Sequence, residues 1–324
     1  MLDFDLEVDV AIIDEVQMLE DNDRGWAWVN AIIGVPAKKV IMTGSVNALE
    51  AVKKIVQYLD EELEVVRHKR KNPLLVLQKW TPLEKLENGT ALIAFSRAEV
   101  LKLKQKLQKK YSVSVIYGNL SPEVRRDEAR RFRDGQTQIL IATDAISMGL
   151  NLPIKTILFT TDTKFDGISK RKISVNEIVQ IAGRAGRFGL FEAGYLGATR
   201  RDVLEYIKEE FEAPIKTIKP PFKVKINNSQ LENLSMHLKT KSLGKVLNFF
   251  ALNMKFAGPF EAANLSSMLE ASRIVDSKDG LSLEEKYLLA QAPITTKSTI
   301  IVQAYSSYIA SVIKKRPNHY KPSI

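Results

Sequence analysis

The chain has no cysteine, and its three histidines, His68, His237 and His319, share no ligand spacing. Disulfide staples and thiolate-metal sites are therefore excluded, and a histidine-built metal centre is disfavoured. The lack of cysteine sits easily with a reducing compartment. No apolar run approaches the ~20 residues that a membrane-spanning helix needs. Residues 1–20 are acidic rather than basic and amphipathic, so a cytoplasmic protein is the default expectation. Internal repeats and low-complexity tracts are also missing. What remains is a chain of 324 residues, long enough for two or three domains with their own cores. Its 48 Lys and Arg outnumber 38 Asp and Glu, for a net charge of +10. Such a balance suits a polyanionic partner, an anionic membrane surface or plain solubility.

Val8 to Ile13 reads as a buried strand, continuous in β-branched residues and followed by two acids. In an open parallel sheet that carboxyl end is where ligands bind. Trp26 to Ile33 and Ala48 to Leu59 read as helices, Lys39 to Met42 and Leu63 to Val66 as strands. A basic stretch, Arg67 to Pro73, then suggests a linker. From Ala91 the alternation is regular: strands at 91–95, 113–117, 138–142, 156–160 and 194–198, helices at 98–110, 122–133, 175–182 and 202–211. Strands and helices alternating at these lengths imply parallel βαβ units with right-handed crossovers. The polar segment between Thr160 and Val175 looks like an inserted hairpin or loop. Pro214, Pro220 and Pro221 break the pattern. Beyond them 231–238, 243–254, 260–273, 283–291 and 297–313 carry apolar residues at helical spacing. The expected organisation is a partial α/β domain at 1–66, a linker at 67–90, a complete α/β domain at 91–212 and a helical domain at 213–324.

The most informative stretch is Gln180 to Arg187, which spells QxxGRxGR after a strand-helix pattern. Guanidinium forks keep their charge and grip phosphate oxygens bidentately, so Arg184 and Arg187 suit a γ-phosphate whose charge shifts during transfer. Gly183 and Gly186 permit close approach of the backbone. Three other apolar runs end in polar clusters: Asp14-Glu15-Val16-Gln17, Thr43-Gly44-Ser45, and Ala142-Thr143-Asp144-Ala145-Ile146-Ser147-Met148-Gly149. Taken singly, Asp14 and Glu15 read first as exposed loop acids, and only the other motifs reverse that; for the arginines, structural salt bridges are the minor reading beside phosphate recognition. Ser96-Arg97 and Tyr117-Gly118-Asn119 occupy equivalent strand ends, where ordinary loop chemistry is the competing reading. The charges around Lys102 to Lys110 and Arg125 to Arg133 read as solvated helix faces. Trp26, Trp28 and Trp80 read as core or interface.

In order and spacing these clusters resemble motifs II, III, V and VI of superfamily 2 helicases. The resemblance implies RecA-like parallel-sheet domains, the first partial and the second complete, followed by a mostly α-helical domain. It also implies ATP and Mg2+ as cofactors. Asp14 would hold the metal, with Glu15 as second candidate ligand, and Glu15 would orient or deprotonate the attacking water. Gln17 would sense the γ-phosphate or couple to the other domain, and Thr43, Gly44 and Ser45 would serve that coupling. Asp144, Gly149, Gly183, Arg184 and Arg187 would line the nucleotide with Gln180 beside them, Asp144 engaging the ribose or the arginines, and Arg187 is the better candidate for an arginine finger. Ser96, Arg97, Gly118, Asn119 and Thr143 would track a nucleic-acid strand.

The wording narrows further. The DEVQ tetrad with Arg24-Gly25-Trp26-Ala27-Trp28, Val115 to Pro122, Ala142 to Leu152 and Gln180 to Phe188 are similar to the ATP-dependent RNA helicase of the mitochondrial degradosome, the Suv-three type, and its bacterial relatives. Ala292-Pro293-Ile294 extends the likeness weakly into the tail. The family implies a 3′-to-5′ motor on RNA or RNA/DNA, in eukaryotes beside an exoribonuclease. One departure stands out: no GxxxxGK[ST] occurs, and Gly244-Lys245-Val246 lacks both the hydroxyl and the preceding glycine. The expectation is a motor lacking its N-terminal helicase half, inactive alone, with apolar strand surface uncovered at 1–66. A non-catalytic RNA-binding or scaffolding module and a DNA helicase are the alternatives.

Overall fold

In the computed structural model, which describes residues 6–314 other than 119, 148, 149, 167, 168 and 293, the first β-branched run forms strand β1 (Val8–Ile13). Helix α1 (Gly25–Gly34) carries the chain over to β2 (Ala37–Met42), which pairs with β1 in parallel, Ile12 opposite Ile41, and α2 (Leu49–Tyr58) follows. Alternation decides what is covered. Ile13, Val40 and Met42 pack with Val29, Ile32, Ala51 and Ile55 of the helices. Val10, Ile12 and Ile41, on the opposite face, are 50%, 69% and 40% exposed. Among the described residues no third strand flanks this pair. The uncovered apolar face agrees with the expectation from sequence.

A second unit runs from Val65 to Lys216. Its strands β3 (Leu74–Val76), β4 (Thr90–Ile93), β5 (Val113–Ile116), β6 (Ile139–Ala142), β7 (Thr156–Phe159) and β10 (Gly194–Ala198) form a parallel sheet in the order β3-β10-β7-β4-β6-β5. Between β7 and β10 lies the antiparallel hairpin of β8 (Thr163–Phe165) and β9 (Lys170–Lys172), where the sequence suggests a hairpin or loop. Helices α3 (Arg97–Leu107), α4 (Pro122–Arg133), α5 (Val175–Ala182) and α6 (Arg201–Glu212) complete the α/β layers. Central strands such as Ile139–Ala142 are wholly buried, as a sheet covered on both faces requires. Serines start the helices: Ser96 and Ser121 cap α3 and α4, and Ser174 forms a reciprocal capping box with Glu177 on α5. Two expectations are corrected. The segment 67–90 is not all linker, because Leu74–Val76 pairs with β10. Leu63 to Val66 is no strand; Val65 and Val66 are 43% and 65% exposed, and among the described residues no strand pairs with them.

The described residues from Thr217 onward do not form a domain of their own but fold with those before Val65. β11 (Phe222–Val224) pairs with β12 (Phe260–Ala262), and Ile218, Phe222, Val224 and Phe260 enter the same apolar cluster as α1 and α2. This pairing overrides the helical pattern expected from Phe260 onward, so the helix there starts only at Ser266. Helices α7 (Asn228–His237), α8 (Leu243–Asn253), α9 (Ser266–Asp276), α10 (Leu283–Ala290) and α11 (Thr299–Lys314) gather around Leu231, Leu247, Phe250 and Tyr287.

Lys225 fastens this tail to α1. Asn30 bonds both its backbone carbonyl and its N–H, at 2.7 and 3.2 Å, and its ammonium lies 4.1 Å from the centre of the Trp26 ring. Burial pushes the Lys225 pKa down to about 8. Below that value the lysine is charged in both folded and unfolded chains, and the full burial cost applies. From about 8 up to the ordinary lysine value the unfolded chain holds a proton the folded one lacks, so stability rises with pH. Relative to Lys225→Met, the wild type should therefore gain up to about 3 kcal/mol between pH 7 and pH 10.5. Urea unfolding of both proteins at the two pH values checks this; parallel pH profiles would count against it.

Candidate functional site

Where β1 ends, the chain turns through Glu15 at φ 57° and ψ 47°, a left-handed conformation that is uncommon for a residue bearing a side chain. Several bonds hold the turn. Glu15 N–H donates to Asp14 Oδ1 at 2.9 Å, Val16 N–H to the Thr43 carbonyl at 2.8 Å, and the Trp28 indole N–H to the Asp14 carbonyl at 2.8 Å. Gln17 Nε2 donates to Glu15 Oε2, while Gln17 Oε1 accepts from Ser45 N–H at 3.1 Å. Thr43 Oγ1 donates to Asp14 Oδ1. The structure thus brings Asp14, Glu15 and Gln17 together with Thr43 and Ser45 at the carboxyl ends of β1 and β2. Gly44 is required by this approach: a Cβ there would lie 2.6 Å from Val16 Cγ2 and 2.7 Å from Gln17 Oε1. Trp28 acts on Asp14 as a brace, a role the sequence does not reveal because it runs through a backbone carbonyl. Trp80 is not a core residue, being 45% exposed.

In the second unit β4, β6 and β5 are neighbours and parallel, so the residues after each strand share one edge of the sheet. Ser96 and Arg97 follow β4, Gly118 follows β5, and Thr143 and Asp144 follow β6. Ser96 Oγ accepts the Glu99 N–H at 3.1 Å, and the Arg97 guanidinium lies 5.7 Å from the Tyr117 ring centre. Thr143 is buried, with Oγ1 accepting from Ala145 N–H at 3.3 Å. Asn119 and Gly149 lie outside the described residues, as does Pro293 of the tail likeness. Asp144 differs from expectation: its carboxylate binds Lys164 Nζ at 2.8 Å, not the arginines. The hairpin brings that ammonium in, and Lys164 also binds Glu177 at 2.9 Å.

Gln180 sits on the last turn of α5, and the loop after it carries the arginines. Arg184 donates to the Ser147 carbonyl. The Arg187 side chain makes no hydrogen bond or ion pair among the described residues. Both arginines line a cavity of about 250 Å³, together with Gly183, Arg70, Lys71 and Phe188. Four cations and no carboxylate line it, the environment of an anion site. Lys71 Nζ stands 4.5 Å from the centre of the exposed Phe188 ring. Arg70 and Lys71 were legible only as linker charge.

Among the described residues no three metal-ligating side chains gather. Asp14 and Glu15 do fit a magnesium ion, which takes one or two protein carboxylates and fills its remaining positions with water and substrate phosphates.

Residues 1–68 match the DEXQ-box helicase domain of Suv3, and residues 72–189 the helicase conserved C-terminal domain. The mitochondrial ATP-dependent RNA helicase SUV3 of Candida albicans is 32% identical over 93% of this chain and 43% of its own length. The mitochondrial DExH-box ATP-dependent RNA helicase DExH16 of Arabidopsis thaliana is 32% identical over 97% and 56%. The chain thus spans about half the length of the curated relatives it matches. Among solved structures, Saccharomyces cerevisiae Dbp5 bound to RNA and ADP BeF3 aligns at 15% identity and a TM-score of 0.48, over 75% of this chain and 64% of that one. Mycobacterium smegmatis helicase Lhr bound to ssDNA and AMP-PNP aligns at 14% identity and a TM-score of 0.49, over 82% and 38%. The cytoplasmic expectation is overturned by the relatives' names, which are mitochondrial. It rested on residues 1–20, which carry no information about a leader in a chain spanning half of its relatives. By its two helicase domain matches and by relatives aligned across more than nine-tenths of its length, the chain is similar to the Suv3-type DEXQ helicases.

Proposed function

We propose that this chain carries the acid and arginine machinery of an ATP-driven RNA helicase. The observation that supports this most is the bonded set at the ends of β1 and β2, in which Gln17 bridges Glu15 and Ser45 while Thr43 holds Asp14. Two carboxylates at a strained turn, each restrained by a neighbour, are poised for hydrolysis rather than left as solvated loop acids. Magnesium held at Asp14 would neutralise charge on the β- and γ-phosphates. Glu15 then orients the attacking water and accepts its proton at a carboxylate oxygen, and Gln17 fixes the rotamer in which it does so. In the second unit the Arg187 guanidinium, without a hydrogen bond or ion pair among the described residues, suits the charge that accumulates on a phosphoryl group during transfer, and Arg184 lines the same cavity. Arg97 and Thr143, with the backbone amide of Gly118, are the proposed contacts to the RNA strand.

No GxxxxGK[ST] lies in the 324 residues, so the phosphate cradle is proposed to come from a further segment or partner that carries one. The exposed face of Val10, Ile12 and Ile41 is the surface such a segment would cover. On the strength of the relatives' names, the mitochondrion is the proposed compartment, and an exoribonuclease partner remains a proposal from the family resemblance alone. The same missing cradle favours the second reading, an RNA-binding module without turnover.

Steady-state ATP hydrolysis with and without single-stranded RNA separates the two, with Glu15→Gln as the blank. The chain alone should stay at the level of the blank. Supplied with a segment bearing the phosphate loop, it should show RNA-stimulated turnover that Arg187→Ala lowers by roughly 1000-fold. RNA-stimulated turnover by the chain alone, lost in Glu15→Gln, would refute the need for the loop; none in the supplied complex, with RNA binding kept, would favour the module.

A further inference from the structure

Arg70 and Asn72 lie in the stretch that reads as a basic linker, yet both side chains turn onto the backbone of the arginine loop. Arg70 Nη1 donates to the Gly183 carbonyl at 3.0 Å, Nη2 to the Ala185 carbonyl, and Nε to the Asn72 carbonyl at 2.8 Å. Asn72 Nδ2 donates to the carbonyls of Gly186 at 3.2 Å and Phe191 at 2.5 Å. Four carbonyls between Gly183 and Phe191 are thus held by two side chains more than a hundred residues away in sequence.

The chemistry suits the place. Carbonyls after the last turn of a helix have no intrahelical partner, and they carry the negative end of the helix dipole. A guanidinium fork there satisfies two of them and brings the complementary charge. No carboxylate pairs with Arg70 among the described residues, so the loop carbonyls and that of Asn72 are its partners. Three of its five N–H groups are committed to carbonyls, whereas the Arg187 side chain makes no hydrogen bond or ion pair among the described residues. Asn72 is buried, and its two bonds span the turn at Gly186. The backbone of the next residue, Pro73, accepts the Gly194 N–H at 2.9 Å, and so ties the same stretch to the start of β10.

We infer that Arg70 and Asn72 are positioning residues that fix the backbone carrying Arg184 and Arg187, so that the arginine reaching the γ-phosphate is held by the chain segment preceding β3. The inference rests on the proposed role of Arg187. It makes the 67–73 stretch part of the hydrolytic apparatus rather than a spacer, and any movement of that stretch is passed directly to the arginine loop.

A double-variant cycle tests it in the complete motor, with the phosphate-loop segment supplied. Arg70→Met keeps the aliphatic stem and removes the donors. It should lower kcat of RNA-stimulated hydrolysis at least about tenfold while KM for ATP moves less than about twofold, and Asn72→Ala should act in the same direction. Arg70→Met combined with Arg187→Ala should be no slower than Arg187→Ala alone, because both changes act through one group. Additive losses, or wild-type kcat in Arg70→Met beside an inactive Arg187→Ala, would overturn the clamp. Full turnover in Arg187→Ala would instead overturn the arginine-finger reading beneath it. Should the assembled motor not turn over, the chain alone decides. Amide hydrogen exchange across 183–191 should rise about tenfold in Arg70→Met while β4, β6 and β7 keep their protection. Unchanged exchange in that loop, or a loss of protection throughout the sheet, would sink the proposal.

Discussion

Alanine at position 186 is expected to destabilise the second unit by about 3 kcal/mol or more and to displace the arginine loop. Gly186 has φ +69°, where a Cβ is strained regardless of space. There is also no space. The added carbon would sit 2.3 Å from Gly194 N, 2.5 Å from Gly194 Cα and 2.9 Å from the Ala193 carbonyl carbon, all backbone atoms that cannot rotate away. Gly194 opens β10, so relief requires moving either a strand of the sheet or the turn between Arg184 and Arg187. Gly189 supplies the control. It has φ +82° but nothing within 4 Å of an added methyl, so Gly189→Ala should cost only the backbone strain, about 1 kcal/mol. Urea unfolding of the two variants measures the difference directly. Equal midpoints would mean that the loop yields easily, and Gly186 would lose its claim to shape the arginine site.

That glycine was legible in the sequence as part of QxxGRxGR; the reason for it was not, because Gly194 is its counterpart only once β10 is in place. The same division runs through the molecule. Val8–Ile13 is read off directly since four of its six residues are β-branched, and Val175–Ala182 from its place in the strand-helix alternation. Leu74–Val76 and Phe260–Ala262 escape, as their strand character comes from β10 and β11 rather than from their own three residues. Leu63 to Val66 misleads for the converse reason: the local pattern is adequate and no partner strand arrives. At the candidate site, residues proposed to act with their own charge, such as Asp14, Glu15 and Arg187, stand out by type and spacing. Trp28, Arg70 and Asn72 act on carbonyls, and every residue has a carbonyl, so no residue pattern marks the target. Lys164 is hidden differently, being one lysine among many until the hairpin folds it against Asp144.

Acid should dissolve the other contact of Lys164, that with Glu177, in a defined window. Burial pushes the Glu177 carboxyl up, but bonds from Arg171, the Ser174 N–H and Lys164 outweigh it and bring its pKa down to about 2. A carboxylate held lower in the folded state contributes stability above its unfolded value and loses it as pH falls through the folded one. The contribution is about 3 kcal/mol at pH 7, and roughly two thirds of it should be gone by pH 3. Lys164, whose pKa is raised by Asp144 and Glu177 against the effect of burial, stays charged throughout this range and adds no slope. Glu177→Gln should therefore be destabilised by about 3 kcal/mol at neutral pH and by only about 1 kcal/mol at pH 3. Urea unfolding at both pH values reads this, and a pH-independent gap between the two proteins would contradict it. Glu177 is also the third residue of α5, closing the capping box with Ser174, while its partner Lys164 reaches Asp144 after β6. One carboxylate thus fixes the start of the helix whose end delivers Arg184 and Arg187, and ties the hairpin to the strand end that carries Thr143. Loosening it should relax both ends of α5 before the sheet itself unfolds, because β4, β6 and β7 are held by apolar burial that protonation does not touch.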